Sequence, residues 1–169
     1  SLMIDYVINQ LKHSKLHDQI VVATTNLKQD DVIFDYVTNR NILCFRGDEK
    51  NVLERHYQCA KKYAFSTIVR IPSDKPLIDP TIVDSVIEKF QSNSYDYISN
   101  FSVDVNDDHR FIPSYPSGTE VEIFSFTALE TAWKNATSEY DKEHVTPYIY
   151  THPEKFKIFT LKSEKNLSQ

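Results

Sequence analysis

The sequence predicts an α/β domain with a mostly parallel sheet in three α/β/α layers. Two observations predict it. Short apolar runs of strand length alternate with stretches of helical periodicity through the first half of the chain. The runs also end in polar loops, as in open sheets whose ligands bind outside the carboxyl ends of strands.

The chain opens on a helix, because Ile4, Val7, Ile8 and Leu11 repeat at helical spacing. Residues 19–24 read as a strand and 30–38 as a helix. Residues 42–45 form a second strand, ending at Arg46-Gly47, and 51–63 a second long helix. Residues 66–69 form a third strand. The strands at 19–24, 42–45 and 67–71 are expected to be parallel neighbours, with Thr24, Arg46 and Asp74 on one edge. A helix starts after Asp79, which suits the N-cap, with Pro80 in the first helical position. Residues 95–99 alternate like a strand, whereas 101–116 are polar and irregular, with a loop tip at 106–108. Residues 119–124 read as a strand whose Glu120 and Glu122 share a face. Ser125 can cap the helix through Leu129 and Trp133; a shorter helix over 143–150 and a strand over 156–161 follow. No strand precedes the first helix in this sequence, so its apolar stripe is expected to stay uncovered and to favour a homodimer.

A length of 169 residues suits one domain with a real core. The net charge of −5 argues against a general nucleic-acid binder. There is no signal peptide and no apolar stretch long enough to span a membrane, which points to the cytoplasm. Cys44 and Cys59 are too few for a disulfide framework. The only two glycines, Gly47 and Gly118, exclude a Gly-rich dinucleotide fingerprint and a P-loop.

The chemistry centres on residues 70–80. Asp74 follows the third strand between Pro72 and Pro76, which fix two backbone angles. A rigid loop with one carboxylate suits Mg²⁺ that also binds phosphate; a solvated surface turn is the competing reading. Arg70 could pair a phosphate or Asp74, or be an ordinary strand-end arginine. Arg46 and Asp48, with Asn51 and Arg55 on the next helix, add polar groups at another strand's end. Glu120 and Glu122 suit acid/base work or sugar hydroxyls, or are exposed strand residues. His144 beside Glu143 could bind a substrate or serve structure. No zinc motif and no Ser-His-Asp or Cys-His arrangement is present.

Six ordered segments then carry a resemblance: 20–25; Phe45-Arg46-Gly47 with 52–55; Arg70-Ile71-Pro72-Ser73-Asp74 with 76–80; 95–100; 120–126; and 143–148. Together they resemble the cytidylyltransferase family, in particular the group named after the spore coat polysaccharide biosynthesis protein F. Enzymes that make CMP-activated acidic sugars are more distant relatives. The resemblance implies a nucleotide-diphospho-sugar transferase fold and Mg²⁺-dependent transfer of CMP from CTP to a sugar, in surface polysaccharide or glycan biosynthesis. It implies that Asp74 is a metal carboxylate and, with Arg70, catalytic. Thr24, Arg46, Arg55 and Ser73 fall on the nucleotide side, and Glu120, Glu122 and His144 on the acceptor side. It also places a phosphate-gripping loop ahead of residue 1 and a second metal carboxylate past Gln169, so the single domain is expected to be truncated at both ends. A metal-dependent glycosyltransferase using a nucleotide sugar and a non-catalytic fragment are the rival readings.

Overall fold

The computed structural model describes residues 3–75 and 77–163. Its first helices and strands are α1 (Met3–Leu11), β1 (Val21–Thr25), α2 (Asp31–Thr38), β2 (Leu43–Gly47), α3 (Val52–Lys62), β3 (Thr67–Arg70) and α4 (Pro80–Gln91). Then come β4 (Tyr97–Ser99), β5 (Phe101–Asp104), β6 (Arg110–Pro113), β7 (Glu122–Ser125), α5 (Phe126–Asn135), α6 (Glu139–His144), α7 (Pro147–Tyr150) and β8 (Ile158–Thr160). The chain divides into two compact units. One gathers the described residues up to His17, Thr67–Phe124 and those from Pro153 on; the other holds Asp18–Ser66 and Ser125–His152.

In the first unit the strand order is β3-β7-β4-β8. β4 runs antiparallel to β7, with Ile98 opposite Ile123, and parallel to β8, with Ile98 opposite Phe159. The sheet is therefore mixed. Ile98 and Ile123 sit on one face and meet Val83, Val86 and Ile87 of α4, whose i, i+3, i+4 spacing makes a single stripe. Val7 of α1 joins the same core and Ile8 is also buried. The stripe of α1 is thus covered, contrary to the expectation that it would lie open, and the case it made for a homodimer falls with it.

α4 starts as its sequence requires. The Asp79 carboxylate accepts the Thr81 N–H at 2.7 Å and Pro80 occupies the first turn. Asp84, one turn on, ties down the end of α1. It accepts the Ser14 hydroxyl at 2.5 Å and the Lys15 N–H at 2.9 Å.

Residues 101–113 are not irregular. β5 and β6 form an antiparallel hairpin with Phe101 opposite Pro113 and Asp104 opposite Arg110. Every residue of β6 is exposed, so no burial pattern marks it as a strand. Phe111 instead meets Phe101 edge-on at 4.9 Å between centroids.

In the second unit β1 and β2 pair in parallel, Val22 opposite Cys44. Among the described residues β3 pairs with β7, not with β1 or β2, so the three strands are not neighbours in one sheet. α3 packs on α5 and α6. Tyr57 stacks on Trp133 at 4.0 Å, and the Trp133 indole N–H donates to Glu54. Gly47 permits close approach: a Cβ there would lie 2.8 Å from Arg55 Cγ.

The helix expected over 143–150 is two short helices. Pro147 lacks an N–H and its ring clashes with the carbonyl four residues back, so a helix begun upstream cannot run through it. α6 ends at His144, and Val145 turns the chain at φ 73°, ψ −54°. The Thr146 N–H reaches the His144 carbonyl at 2.9 Å, which closes a γ-turn on a buried β-branched residue.

The Asp84 tether has a pH signature. Burial pushes its carboxyl up, but the Ser14, Lys15 and Leu16 donors outweigh it, and the net pKa lies below its ordinary 3.8. A depressed folded pKa contributes stability above the unfolded value and loses it as pH falls through the folded one. Asp84→Asn should therefore lower the melting temperature at pH 7, and the gap to wild type should close below about pH 4. Melting curves of both proteins across pH 3–7 check this; a gap unchanged down to pH 3 would contradict it.

Candidate active site

β3 ends at Arg70, beside β7 in the four-stranded sheet. Its Nη1 lies 2.6 Å from Glu122 Oε2 on β7. The Tyr97 hydroxyl, on β4, donates to Glu122 Oε1 at 2.7 Å. Glu122 is only 5% exposed, so its charge needs both partners. Arg70 thus pairs with Glu122, not with Asp74, and Glu122 is a buried paired residue, not an exposed one.

Past Arg70 the chain makes a turn, with the Lys75 N–H on the Pro72 carbonyl at 3.2 Å. Ser73 and Asp74 form its corner, and both are exposed. Asp74 has no hydrogen-bond or ion-pair partner among the described residues. Pro76, expected to bracket it, lies outside the described residues. Lys75 Nζ lies 3.1 Å from Glu120 Oε2. Glu120 also accepts the Gly118 N–H at 3.0 and 3.2 Å. Burial pushes the Glu120 carboxyl up, but its own N–H, Lys75 and the Gly118 N–H hold it below its ordinary value.

Glu120 lies outside β7 because its flanks are held by a side chain. Asn100, 1% exposed, donates from Nδ2 to the Thr119 carbonyl and accepts the Val121 N–H, each at 2.8 Å. Gly118 takes φ +92°, which favours glycine. The two glutamates therefore serve different cations, Arg70 and Lys75.

In the second unit Thr24 is buried and its hydroxyl lies 3.4 Å from Asp30. Arg46 donates to the Thr25 carbonyl at 2.8 Å, the Leu27 carbonyl at 2.7 Å and Asp31 Oδ1 at 2.6 Å. It clamps the loop after β1 with three of its five N–H donors. Arg55 Nη1 donates to the Asp48 carbonyl at 2.6 Å. His144 is exposed at the end of α6, tilted on Tyr140 at 4.3 Å.

No group of three His, Cys, Asp or Glu able to hold a metal ion occurs among the described residues. The donor set fits Mg²⁺ only in its phosphate-assisted form, in which one or two carboxylates act with water and substrate oxygens. Asp74, exposed and unpaired, is the carboxylate suited to that. Lys75, Tyr97 and Asn100 were not singled out from the sequence. Lys75 could have been, as the cation next to Asp74. The roles of Tyr97 and Asn100 depend on cross-strand neighbours that no local pattern announces.

The first unit thus carries a mixed sheet with α4 packed on it and a charged turn past β3, the edge strand among the described residues. A solved cytidylyltransferase from Leptospira borgpetersenii superposes with a TM-score of 0.87 at 29% identity, covering 99% of this chain and 68% of that one. The chain belongs to the cytidylyltransferase family, whose model matches residues 1–167. It is 38% identical over 167 residues to the uncharacterized protein MJ1063 of Methanocaldococcus jannaschii, covering 99% of this chain and 64% of that protein. It is 26% identical over 161 residues to the spore coat polysaccharide biosynthesis protein SpsF of Bacillus subtilis, covering 92% of this chain and 62% of that protein. The chain thus spans somewhat under two thirds of these curated relatives.

Removing one partner of a buried pair strands the other charge. Arg70→Ala should lower the unfolding free energy by roughly 3 kcal/mol, read from urea denaturation midpoints. A loss within experimental error would mean that the contacts left to Glu122, the Tyr97 hydroxyl among them, satisfy it.

Proposed function

We propose that the protein is a nucleotidyltransferase that moves a cytidylyl group from CTP to a sugar and releases pyrophosphate, in the making of a surface polysaccharide or glycan. Family membership supports the cytidylyl transfer, and the polysaccharide role named for the Bacillus subtilis relative supports the sugar acceptor. The observation that carries the reading at the level of residues is Asp74. It is exposed and has no partner among the described residues, whereas the nearby cations Arg70 and Lys75 are each paired.

In this reading an acceptor hydroxyl attacks the α-phosphorus in line. The oxygen–phosphorus bond to the sugar forms as the bond to pyrophosphate breaks, and the hydroxyl proton leaves to solvent. Asp74 would hold Mg²⁺, which when bound offsets charge on the phosphates. Arg70 keeps Glu122 paired and so holds β3, which carries the Asp74 turn, against β7. Arg46 orders the loop after β1; Arg46, Arg55, Thr24 and Ser73 belong to the nucleotide contacts of the same reading. His144 is exposed and available to an acceptor. Glu122, with Arg70 and Tyr97 on it, serves the frame in this reading.

The test is pyrophosphate release from CTP and Mg²⁺ with a panel of sugars and sugar acids. Asp74→Asn keeps the shape and loses the charge, so it should cut release at least about a hundredfold with an unchanged melting temperature. Full release by the variant, or sugar transfer from ready-made nucleotide sugars without pyrophosphate, would overturn the reading.

A further inference from the structure

We infer that Lys75 and Glu120 form a latch that sets the position of Asp74, anchored in the core by Asn100, so that Glu120 acts through Lys75 and does not touch the acceptor. The inference rests on the reading of Asp74 as the metal carboxylate.

The turn that carries Asp74 is weakly held by its own backbone. Its hydrogen bonds, Lys75 N–H to Pro72 and Ile78 N–H to Lys75, are 3.2 and 3.3 Å long, and its corner is exposed. A carboxylate that must meet a cation and a phosphate together needs a firmer support. The residue after Asp74 supplies one. The Lys75 ammonium sits on Glu120 at 3.1 Å, with the two side chains 30% and 22% exposed, so solvent screens this pair less than an open surface pair.

Glu120 is itself fixed from three sides. The Gly118 N–H reaches both of its oxygens, in a turn that only a positive φ permits. The buried Asn100 amide bonds the backbone on each side of it, at Thr119 and Val121, in the way a neighbouring strand would. Support therefore runs without a break from the core at Asn100, through Glu120 and Lys75, to the residue beside Asp74. The same contacts already engage both Glu120 oxygens, which reduces the acceptor capacity left for sugar hydroxyls. Glu120 and Lys75 are positioning residues.

Charge reversal tests this. Mn²⁺ is titrated against the protein in the presence of CTP, with free Mn²⁺ read by electron paramagnetic resonance. Glu120→Gln and Lys75→Met should each weaken Mn²⁺ binding roughly fivefold with little change in melting temperature. The double variant Lys75→Glu, Glu120→Lys should recover most of the loss, because it restores the pair with its sign reversed. The KM for the acceptor should not rise selectively in Glu120→Gln. If wild type binds Mn²⁺ but the single variants bind it equally well, or if Glu120→Gln raises only the acceptor KM and the reversal does not rescue it, the latch is overturned and the cytidylyl-transfer reading stands. If wild type with CTP binds no Mn²⁺, the assignment of Asp74 fails and the latch goes with it.

Discussion

A carboxylate buried in the middle of a sheet constrains everything around it. Glu122 lies on β7, and its two partners come from the strands on either side, Arg70 from β3 and Tyr97 from β4. A one-residue slip of either neighbour would send its side chain to the opposite face and remove one of these two partners from the charge. An ion pair in such a place adds little net stability compared with apolar packing of the same volume. It works here as a register pin, because only one alignment of three strands satisfies it. The turn with Asp74 starts two residues past the pinned strand, at Pro72, so the same constraint that fixes the sheet fixes where that turn leaves it.

Within the first unit the charges around the Asp74 turn are mostly consumed, since Lys75 and Arg70 each hold a glutamate. Asp74 is unengaged among the described residues. In the second unit Arg46 spends three donors on the loop after β1.

Much of the frame was legible in the sequence, because its determinants are local. The Asp79-Pro80 helix start, the Ser125 cap, which accepts the Ala128 N–H at 3.0 Å, and the apolar strands all follow from nearest-neighbour physics. Three features were not legible, each for a separate reason. β6 buries nothing, so its alternation has no apolar face to display. Glu120 leaves the strand because a distant Asn100 takes over the backbone bonds beside it. Val145 adopts a φ that no propensity favours for a β-branched residue, and tertiary burial holds it there. The turn that carries Asp74 was readable from Pro72 and the strand before it. The partners of Arg70 and Glu120 were not, since they are set by which strands lie side by side.

The interleaving of the two units bears on how the chain is made. The contacts of α1 lie far downstream: Ser14 bonds Asp84 across 70 residues, and Val7 packs with residues of α4 and β4. At roughly 5–20 residues per second of synthesis, α1 emerges on the order of several seconds before its partners exist. β4 must likewise wait for β8, because Ile98 pairs with Phe159. During that interval the apolar side of α1 is bare, and holding it out of wrong associations falls to the translating ribosome and its chaperones, not to the fold.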